Sequence, residues 1–232
     1  REPEIADLAA ALKKMGAGIN GEGTARIEIT GSPRLKGLKH SVMPDRIETG
    51  TFMLACAAAG GRVRLSGTAP KNVDALTGHL RLAGIKVSVF KDALEINSSG
   101  GRPRPVSVLT GPYPGFPTDL QAPWMAFMAR ARGVCSVNEH IFENRFMHAA
   151  ELGRLGADIY ASDKKARIRG VETLLGAPVM ASDLRAGAAL VVAALSATGK
   201  TLVRRVYHID RGYEKFEDKL RRLGADIERV RS

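Results

Sequence analysis

Cysteine and aromatic residues are scarce in this sequence, and long hydrophobic runs are missing. The 232 residues include two cysteines, Cys56 and Cys135, each inside an apolar run, and only 5% aromatic residues. So few cysteines exclude a disulfide-rich secreted scaffold and favour a reducing compartment, so we expect buried thiols in a cytoplasmic protein. The longest apolar stretch, 186–199, is too short and too rich in small residues to span a bilayer, and no signal-peptide pattern precedes it. We therefore predict no membrane association.

Acidic residues are also outnumbered. The chain has 24 Asp and Glu against 35 Lys and Arg, a formal net charge of +11. A basic balance favours anionic partners, among them nucleic acid, anionic lipid and phosphorylated metabolites. Charge does not choose among them, but the 44% hydrophobic content predicts a real core.

Signatures of metal and cofactor chemistry are missing as well. The five histidines have no metal-ligand spacing, and no Ser-His-Asp or reactive-cysteine signature is present. The segment "GAGING" at 16–21 follows a helical pattern and precedes a strand, which reverses the order of a dinucleotide-binding fingerprint. We therefore predict no metal site and interpret "GAGING" as a helix cap and turn.

A repeated pattern organises the chain. Four helix-like segments each end at a glycine and run into a short alternating strand, and their glycines lie 68, 72 and 68 residues apart: Gly16, Gly84, Gly156 and Gly224. Three further helices end at Gly61, Gly133 and Gly199 before another strand. The unit is strand, helix, strand, helix and hairpin, present three times, with only the first hairpin strand in the last copy, "ADIERVRS". Such alternation predicts an α/β or α+β fold.

Equivalent positions of the repeats carry arginine in two cases out of three. Twelve residues after the second set of glycines stand Val73, Arg145 and Arg211. We expect this position at the start of a helix, where a cation opposes the helix dipole and an anion would offset the cost. Helix N-termini with converging arginines can bind phosphate or carboxylate, although surface ion pairs would also explain them.

The first helix of each unit begins with charged residues too, and these are candidates for the same face: Asp45, Arg46, Asp119, Asp183 and Arg185. A carboxylate in a first helical turn also has a purely structural explanation, because it can cap the free N–H groups. Both explanations stay open at this point.

Long motifs closely resemble the C-terminal half of the bacterial UDP-N-acetylglucosamine enolpyruvyl transferases. They are "MPDRIETGTF", "FPTDLQA", "IFENRFMH", "VMASDLRAGAAL" and "YHIDRGYEKFEDKLRRLGADIERV". The resemblance implies an inside-out α/β barrel lobe of three βαβαββ repeats, at about 44–99, 100–170 and 171–232. It also implies that 1–43 is the tail of the family's first lobe and that the rest of that lobe is missing.

The resemblance implies a reaction as well. Members of that family transfer enolpyruvyl from phosphoenolpyruvate to the 3-hydroxyl of UDP-N-acetylglucosamine and release phosphate, without a metal or cofactor. This is the first committed step of peptidoglycan synthesis, on which cell shape and division depend. The chemistry requires a base near the hydroxyl and cations around phosphate and carboxylate.

Site roles carry over by the same resemblance. Asp119 matches the candidate base at the sugar hydroxyl, and Arg185 and Arg211 match arginines that hold phosphoenolpyruvate. Arg145 matches another arginine of the cleft, and Ile141 a backbone contact to the UDP-sugar. The remaining expected substrate-binding positions are Asp45, Arg46, Glu48 and Asp183. All of these except Arg46 match residues that support domain closure and orientation.

Roughly the first half of the family's chain is absent, including its proton-donating loop. We therefore expect this piece alone to be inactive. Two alternatives stay open: the related shikimate-pathway enolpyruvyl transferase, and a basic RNA-binding module. The second lacks interleaved aromatics and any nucleic-acid motif, so we expect no nucleic-acid partner.

Overall fold

A computed structural model describes residues 1–230 as a mixed α/β structure. The helices are α1 (Pro3–Met15), α2 (Arg46–Ala59), α3 (Asp74–Leu82), α4 (Gln121–Met128), α5 (His148–Arg154), α6 (Leu184–Ala194) and α7 (Phe216–Arg222). The strands are β1 (Gly18–Asn20), β2 (Glu28–Thr30), β3 (Gly61–Ser66), β4 (Lys86–Val89), β5 (Ala93–Ser98), β6 (Val108–Leu109), β7 (Val134–Asn138), β8 (Asp158–Ala161), β9 (Lys165–Arg169), β10 (Leu174–Leu175), β11 (Pro178–Met180), β12 (Ala197–Thr198) and β13 (Leu202–Arg204). Three 3₁₀ turns cover Pro70–Val73, Thr118–Leu120 and Val206–Arg211.

The second repeat is complete and has the predicted order. It runs β6, α4, β7, α5, β8, β9, and its four strands form one sheet in the order β6-β7-β9-β8. The β6–β7 pair is parallel, whereas β9 pairs antiparallel with both β7 and β8. The βαβαββ unit expected from the sequence is thus confirmed here.

The first and third repeats are shorter than predicted. In the first, no strand precedes α2, and β3, β5 and β4 form an antiparallel sheet. In the third, the two opening strands are each broken into short pieces that pair in parallel, β10 with β12 and β11 with β13. The strand predicted at "ADIERVRS" is not formed up to residue 230, and 231–232 lie outside the described residues. Within the described part of the chain, the sheets do not close into a barrel.

The first set of repeat glycines ends helices as expected. The prediction for the second set is wrong, because Gly61 opens β3, and Gly133 and Gly199 lie five residues beyond the ends of α4 and α6. Gly84 has a φ of 97° and Gly156 a φ of 88°, in the left-handed region where glycine is least strained. The amide of Ile85 then donates to the Leu80 carbonyl at 3.0 Å, which satisfies an otherwise free group at the end of α3. The chain turns there into β4, so the glycine spacing sets the spacing of the hairpins.

Three helices, one from each repeat, fill the interior. Helices α2, α4 and α6 pack against one another, and every residue of α4 is buried. Their sequences are rich in alanine and other apolar residues all round, as expected for helices enclosed on all sides. Among the described residues, no helix combines the length and apolarity that a membrane crossing requires.

Both cysteines lie in this core, as predicted. Cys56 and Cys135 are buried free thiols. Burial raises the pKa of both thiols, that of Cys135 to about 11. They act as small core residues, because a buried neutral thiol is a poor nucleophile.

Candidate anion-binding site

Asp119 lies between two arginines from different repeats. Its Oδ1 accepts a hydrogen bond from Arg145 Nη2 at 2.7 Å, and its Oδ2 accepts one from Arg185 Nη2 at 3.1 Å. The three side chains are partly exposed, between 18% and 36%. One carboxylate is thus matched by two guanidinium groups, which leaves an excess positive charge open to solvent.

The Asp119 carboxylate does not cap a helix, in contrast to the structural explanation considered for it. It belongs to the Thr118–Leu120 turn that leads into α4, and no side-chain cap closes either element. Its two oxygens are used by the arginines instead. Asp45 and Asp183 do act as caps: Asp183 Oδ1 accepts from the amides of Arg185 and Ala186 at 2.8 and 2.9 Å.

Arg145 stands in a loop, three residues before α5 begins, so the prediction that it starts a helix is wrong. The preceding residue, Asn144, has a φ of 52°, and asparagine adopts this left-handed conformation more readily than most residues. The Arg145 guanidinium lies 4.7 Å from the centre of the Phe142 ring, a distance suited to a cation–π contact. This contact and the bond to Asp119 hold the side chain at the site.

Arg185 is the second residue of α6 and the arginine that meets the helix-start expectation. Its Nη1 donates to the Tyr213 hydroxyl at 3.2 Å. Thr51 donates its single hydroxyl proton to the Ile47 carbonyl at 2.8 Å, so in its 2.9 Å contact with Tyr213 it is the acceptor. A directed chain therefore runs from Arg185 through Tyr213 and Thr51 to the backbone of α2.

The surroundings of Arg185 and Tyr213 determine their protonation states. Burial lowers the pKa of Arg185, but Tyr213 and Asp119 raise it, and the net pKa lies above its ordinary value. Burial raises the pKa of Tyr213, and the neighbouring Arg185 only partly offsets this. Arg185 is therefore a permanent cation and Tyr213 a neutral hydroxyl at neutral pH.

Arg211 ends the Val206–Arg211 turn, five residues before α7, so the helix-start prediction is wrong here as well. It is exposed, and no ion pair or side-chain hydrogen bond of Arg211 is found within residues 1–230. The next residue, Gly212, packs against α6: a Cβ there would lie 2.7 Å from Leu184 and 3.9 Å from Arg185 Nη1. Arg211 is thus an exposed cation whose chain neighbour lies close to Arg185.

The remaining predicted site residues have other partners. Arg46 pairs with Glu4 at 2.8 Å and Glu2 at 3.1 Å, and its side chain is only 10% exposed. Glu48 accepts from Lys219 at 2.6 Å. These contacts attach α1 and α7 to the start of α2, and they are not contacts with Asp119, Arg145 or Arg185. The structure brings together three of the predicted residues and leaves Arg46 and Glu48 in separate ion pairs.

Three residues of the site were missed from the sequence: Thr51, Glu139 and Tyr213. Glu139 is fully buried and accepts the Ile141 amide at 2.8 Å, so the backbone N–H of that predicted contact residue is already engaged. Tyr213 follows Arg211 by two residues and is 1% exposed. Its position in "DRGYE" beside a predicted site arginine was the one available signal; nothing local pointed to the other two.

A buried histidine lies near Arg145 and Asp183. His148 is the first residue of α5, is 4% exposed and has its Nε2 3.3 Å from the sulfur of Met125. Burial lowers its pKa to about 4, with Asp183 opposing and Arg145 reinforcing the shift. It is neutral at pH 7 and adds no charge. No cluster suited to a metal ion occurs within the described range 1–230.

Comparison with known proteins identifies relatives of the chain. The sequence profile described as "EPSP synthase (3-phosphoshikimate 1-carboxyvinyltransferase)" matches residues 1–220. Proteins named UDP-N-acetylglucosamine 1-carboxyvinyltransferase are 55% identical in Allorhizobium ampelinum and 54% identical in Agrobacterium fabrum, in each case over 99% of this chain and 54% of the relative. The chain thus spans about half the length of the relatives it matches.

Solved structures resemble the chain over a similar share. The enolpyruvyl transferase NikO from Streptomyces tendae superposes with a TM-score of 0.87 at 29% identity, over 98% of this chain and 55% of that one. EPSP synthase from Acinetobacter baumannii gives a TM-score of 0.71 at 17% identity, over 96% of this chain and 55% of that one. The second likeness concerns the fold alone.

Proposed function

Because the chain belongs to the family whose profile is described as EPSP synthase (3-phosphoshikimate 1-carboxyvinyltransferase), we propose that it supplies one lobe of an enolpyruvyl transferase. The acceptor is the 3-hydroxyl of UDP-N-acetylglucosamine, the donor is phosphoenolpyruvate, and phosphate is released. The names of relatives 52–55% identical to the chain support the choice of sugar nucleotide. The observation that carries the proposal is the pairing of Asp119 with both Arg145 and Arg185.

In this proposal the arginines exchange one anion for another. Arg145 and Arg185 neutralise Asp119 before substrate binds. Arg211, whose neighbour Gly212 lies close to Arg185, would supply a further charge. Phosphoenolpyruvate carries a phosphate and a carboxylate, both suited to bidentate guanidinium bonds. When they engage the arginines, Asp119 is released from one or both of its bonds and can accept the proton of the sugar hydroxyl.

The same arginines then stabilise the transition state. The sugar oxygen adds to the substituted carbon of the enolpyruvyl double bond while the methylene carbon takes up a proton from a donor in the other lobe, which gives a tetrahedral intermediate that retains the phosphate. Loss of a proton from the same methyl carbon then expels the phosphate and restores the double bond. Fixed cations around the intermediate lower the barrier without reorganising solvent. The network from Arg185 through Tyr213 and Thr51 to α2 keeps one of these cations in place. Neither a metal nor a cofactor takes part in these steps.

A second lobe completes the site in this proposal. Residues 1–43 are then the end of the first lobe, and residues 44–232 are the second. Several large apolar side chains of the first segment are exposed, including Leu8 at 55%, Ile29 at 71% and Val42 at 80%, as expected of a surface that another part of the protein covers. We infer that this chain alone has no turnover and that the complete enzyme works in the cytoplasm, in peptidoglycan synthesis.

A chimera tests the function directly. The part of the Agrobacterium fabrum relative that this chain does not match is joined to this chain, and phosphate release is measured with phosphoenolpyruvate and either UDP-N-acetylglucosamine or shikimate 3-phosphate. We expect turnover with the sugar nucleotide only, and none from the 232-residue chain by itself. Activity with shikimate 3-phosphate would overturn the proposed substrate, and activity of the chain alone would overturn the need for a second lobe.

Substitution of Asp119 tests its proposed role as the base. Asp119→Asn in the chimera removes the proton acceptor but keeps the shape, so we expect kcat to fall by about 10²- to 10⁴-fold. The control is Asp163→Asn, the same chemical change at an exposed residue between β8 and β9. Equal rates for the two variants would exclude Asp119 as the base.

A further inference from the structure

Glu139 is a fully buried carboxylate at the end of β7. It is 0% exposed, and among residues 1–230 it is the only acidic residue in the buried class. A buried carboxylate is costly unless hydrogen bonds replace its lost hydration. Its bonding partners therefore show what the fold uses it for.

Four donors surround this carboxylate. Oε1 accepts from the Thr110 hydroxyl at 2.8 Å, the Ile141 amide at 2.8 Å and the Phe142 amide at 3.2 Å. Oε2 accepts from the Thr118 hydroxyl at 2.8 Å. All four groups act as donors, so the side chain acts only as an acceptor.

Three of these four donors belong to the two segments that form the anion site, and the fourth, Thr110, follows β6. Thr118 precedes Asp119 in the same 3₁₀ turn, and Ile141 and Phe142 begin the loop that carries Arg145. The buried Glu139 carboxylate thus binds both segments from the protein interior. On the solvent side, the link between them is the Asp119–Arg145 pair, which is partly exposed and contributes little stability of its own.

We propose that Glu139 is a positioning residue of the anion site, which keeps the Asp119 turn and the Arg145 loop in register when substrate anions open the Asp119–Arg145 pair. Glu139 acts through its neighbours and touches no substrate. The expected effect of Glu139 on catalysis rests on the proposed enolpyruvyl transfer. Its role in holding the Arg145 loop does not depend on that function.

The test is Glu139→Gln, which keeps the shape and replaces one acceptor oxygen with a donor. The new side chain can still turn its amide oxygen to the Ile141 and Phe142 N–H groups and its NH2 group to the Thr118 hydroxyl, which rotates to accept. A neutral acceptor, however, binds these N–H groups only about half as strongly as a carboxylate does. Hydrogen exchange in the 232-residue chain should therefore become faster at 141 and 142, whereas the β7–β9 ladder, for example Cys135 opposite Ile168, keeps its protection. In the chimera, we expect kcat to fall by about 10- to 100-fold, because small displacements of reacting groups have effects of this size.

Matched variants separate positioning from general destabilisation. Thr118→Val removes one donor and should lower kcat, whereas Thr118→Ser keeps the hydroxyl and should restore it. Glu172→Gln makes the same charge change at an exposed site and should alter neither exchange nor kcat.

The proposed function and the proposed role of Glu139 can be refuted independently. If the wild-type chimera is inactive, the proposed function is overturned, and the exchange measurement alone decides whether Glu139 holds the loop. Unchanged exchange at 141 and 142 in Glu139→Gln would overturn the inference, and so would faster exchange throughout the chain. A wild-type kcat for Glu139→Gln in an active chimera would overturn its catalytic part.

Discussion

Mild acid should destabilise this chain through His148, before most carboxylates titrate. The imidazole is buried at the start of α5 with Met125 sulfur as its contact, and Arg145 adds a positive charge nearby. A proton on His148 would have to be buried against a thioether, a weak acceptor that does little to stabilise it. Burial therefore lowers its pKa in the folded chain to about 4, from an ordinary value of 6.5.

The direction of the effect follows from proton binding. Between pH 6.5 and about pH 4, the unfolded chain takes up a proton at this residue that the folded chain does not, so acid favours unfolding. Above pH 6.5 both states are neutral and the contribution of His148 is complete. Each tenfold difference in proton affinity is worth about 1.4 kcal/mol, so the full loss by pH 4 is about 3 kcal/mol.

Chemical denaturation between pH 7.5 and pH 4 measures this loss. The free energy of unfolding should fall steadily below pH 6.5, and the His148→Met variant should lack that part of the decline, because methionine fills a similar volume without titrating. Carboxylates whose pKa is lowered, such as Asp210 beside Arg229, lose their contribution only further into acid, as the pH falls toward their folded pKa. Equal pH dependence in wild type and His148→Met would refute the reasoning. So would an imidazole NMR signal that is absent from His148→Met, and is thereby assigned to His148, but titrates near pH 6.5 in the folded wild-type chain.

Three further predictions concern the interior. Gly170→Ala would place a Cβ 1.9 Å from the Ala131 carbonyl oxygen, so we expect a loss of about 1–3 kcal/mol in unfolding free energy; Gly153→Ala, in α5 with open space around it, should be neutral or stabilising, and similar losses would contradict the packing argument. Tyr213→Phe removes the hydroxyl between Arg185 and Thr51 and should cost about 1–2 kcal/mol in a thermal or urea titration; no loss would mean that the hydroxyl is dispensable. Cys135, whose pKa is raised to about 11, should resist iodoacetamide at pH 8 in the folded chain and react after denaturation, as mass spectrometry would show.

Local features of the fold were predictable because their causes lie within one or two turns of chain. Glycine is favoured just after a helix because the residue at that position adopts a left-handed conformation. The spacing of Gly16, Gly84, Gly156 and Gly224 therefore marked the repeats. The capping role of a carboxylate before a helix is equally local, since its partners are two and three residues ahead; Asp183 shows this. Burial of the two cysteines followed from the apolar runs around them.

The same local logic misplaced Arg145 and Arg211. Equivalent positions in a repeat predict equivalent backbone only where the intervening loops match, and here one arginine stands in a loop and the other ends a 3₁₀ turn. Both arginines do lie in segments that precede a helix, and Arg145 pairs with Asp119.

The sequence by itself determined the α/β class, the repeat unit as the second repeat shows it, the ends of the helices that precede the hairpins, and the candidate charged residues. Tertiary structure alone decided which of those charges meet. Asp119 finds Arg145 at a separation of 26 residues and Arg185 at 66, and Tyr213 reaches Thr51 across 162. Such pairs depend on how three helices pack, and no local pattern encodes that packing. The buried acceptor Glu139 is the clearest case, because every one of its side-chain partners is set by the close approach of β6, β7 and the turn before α4.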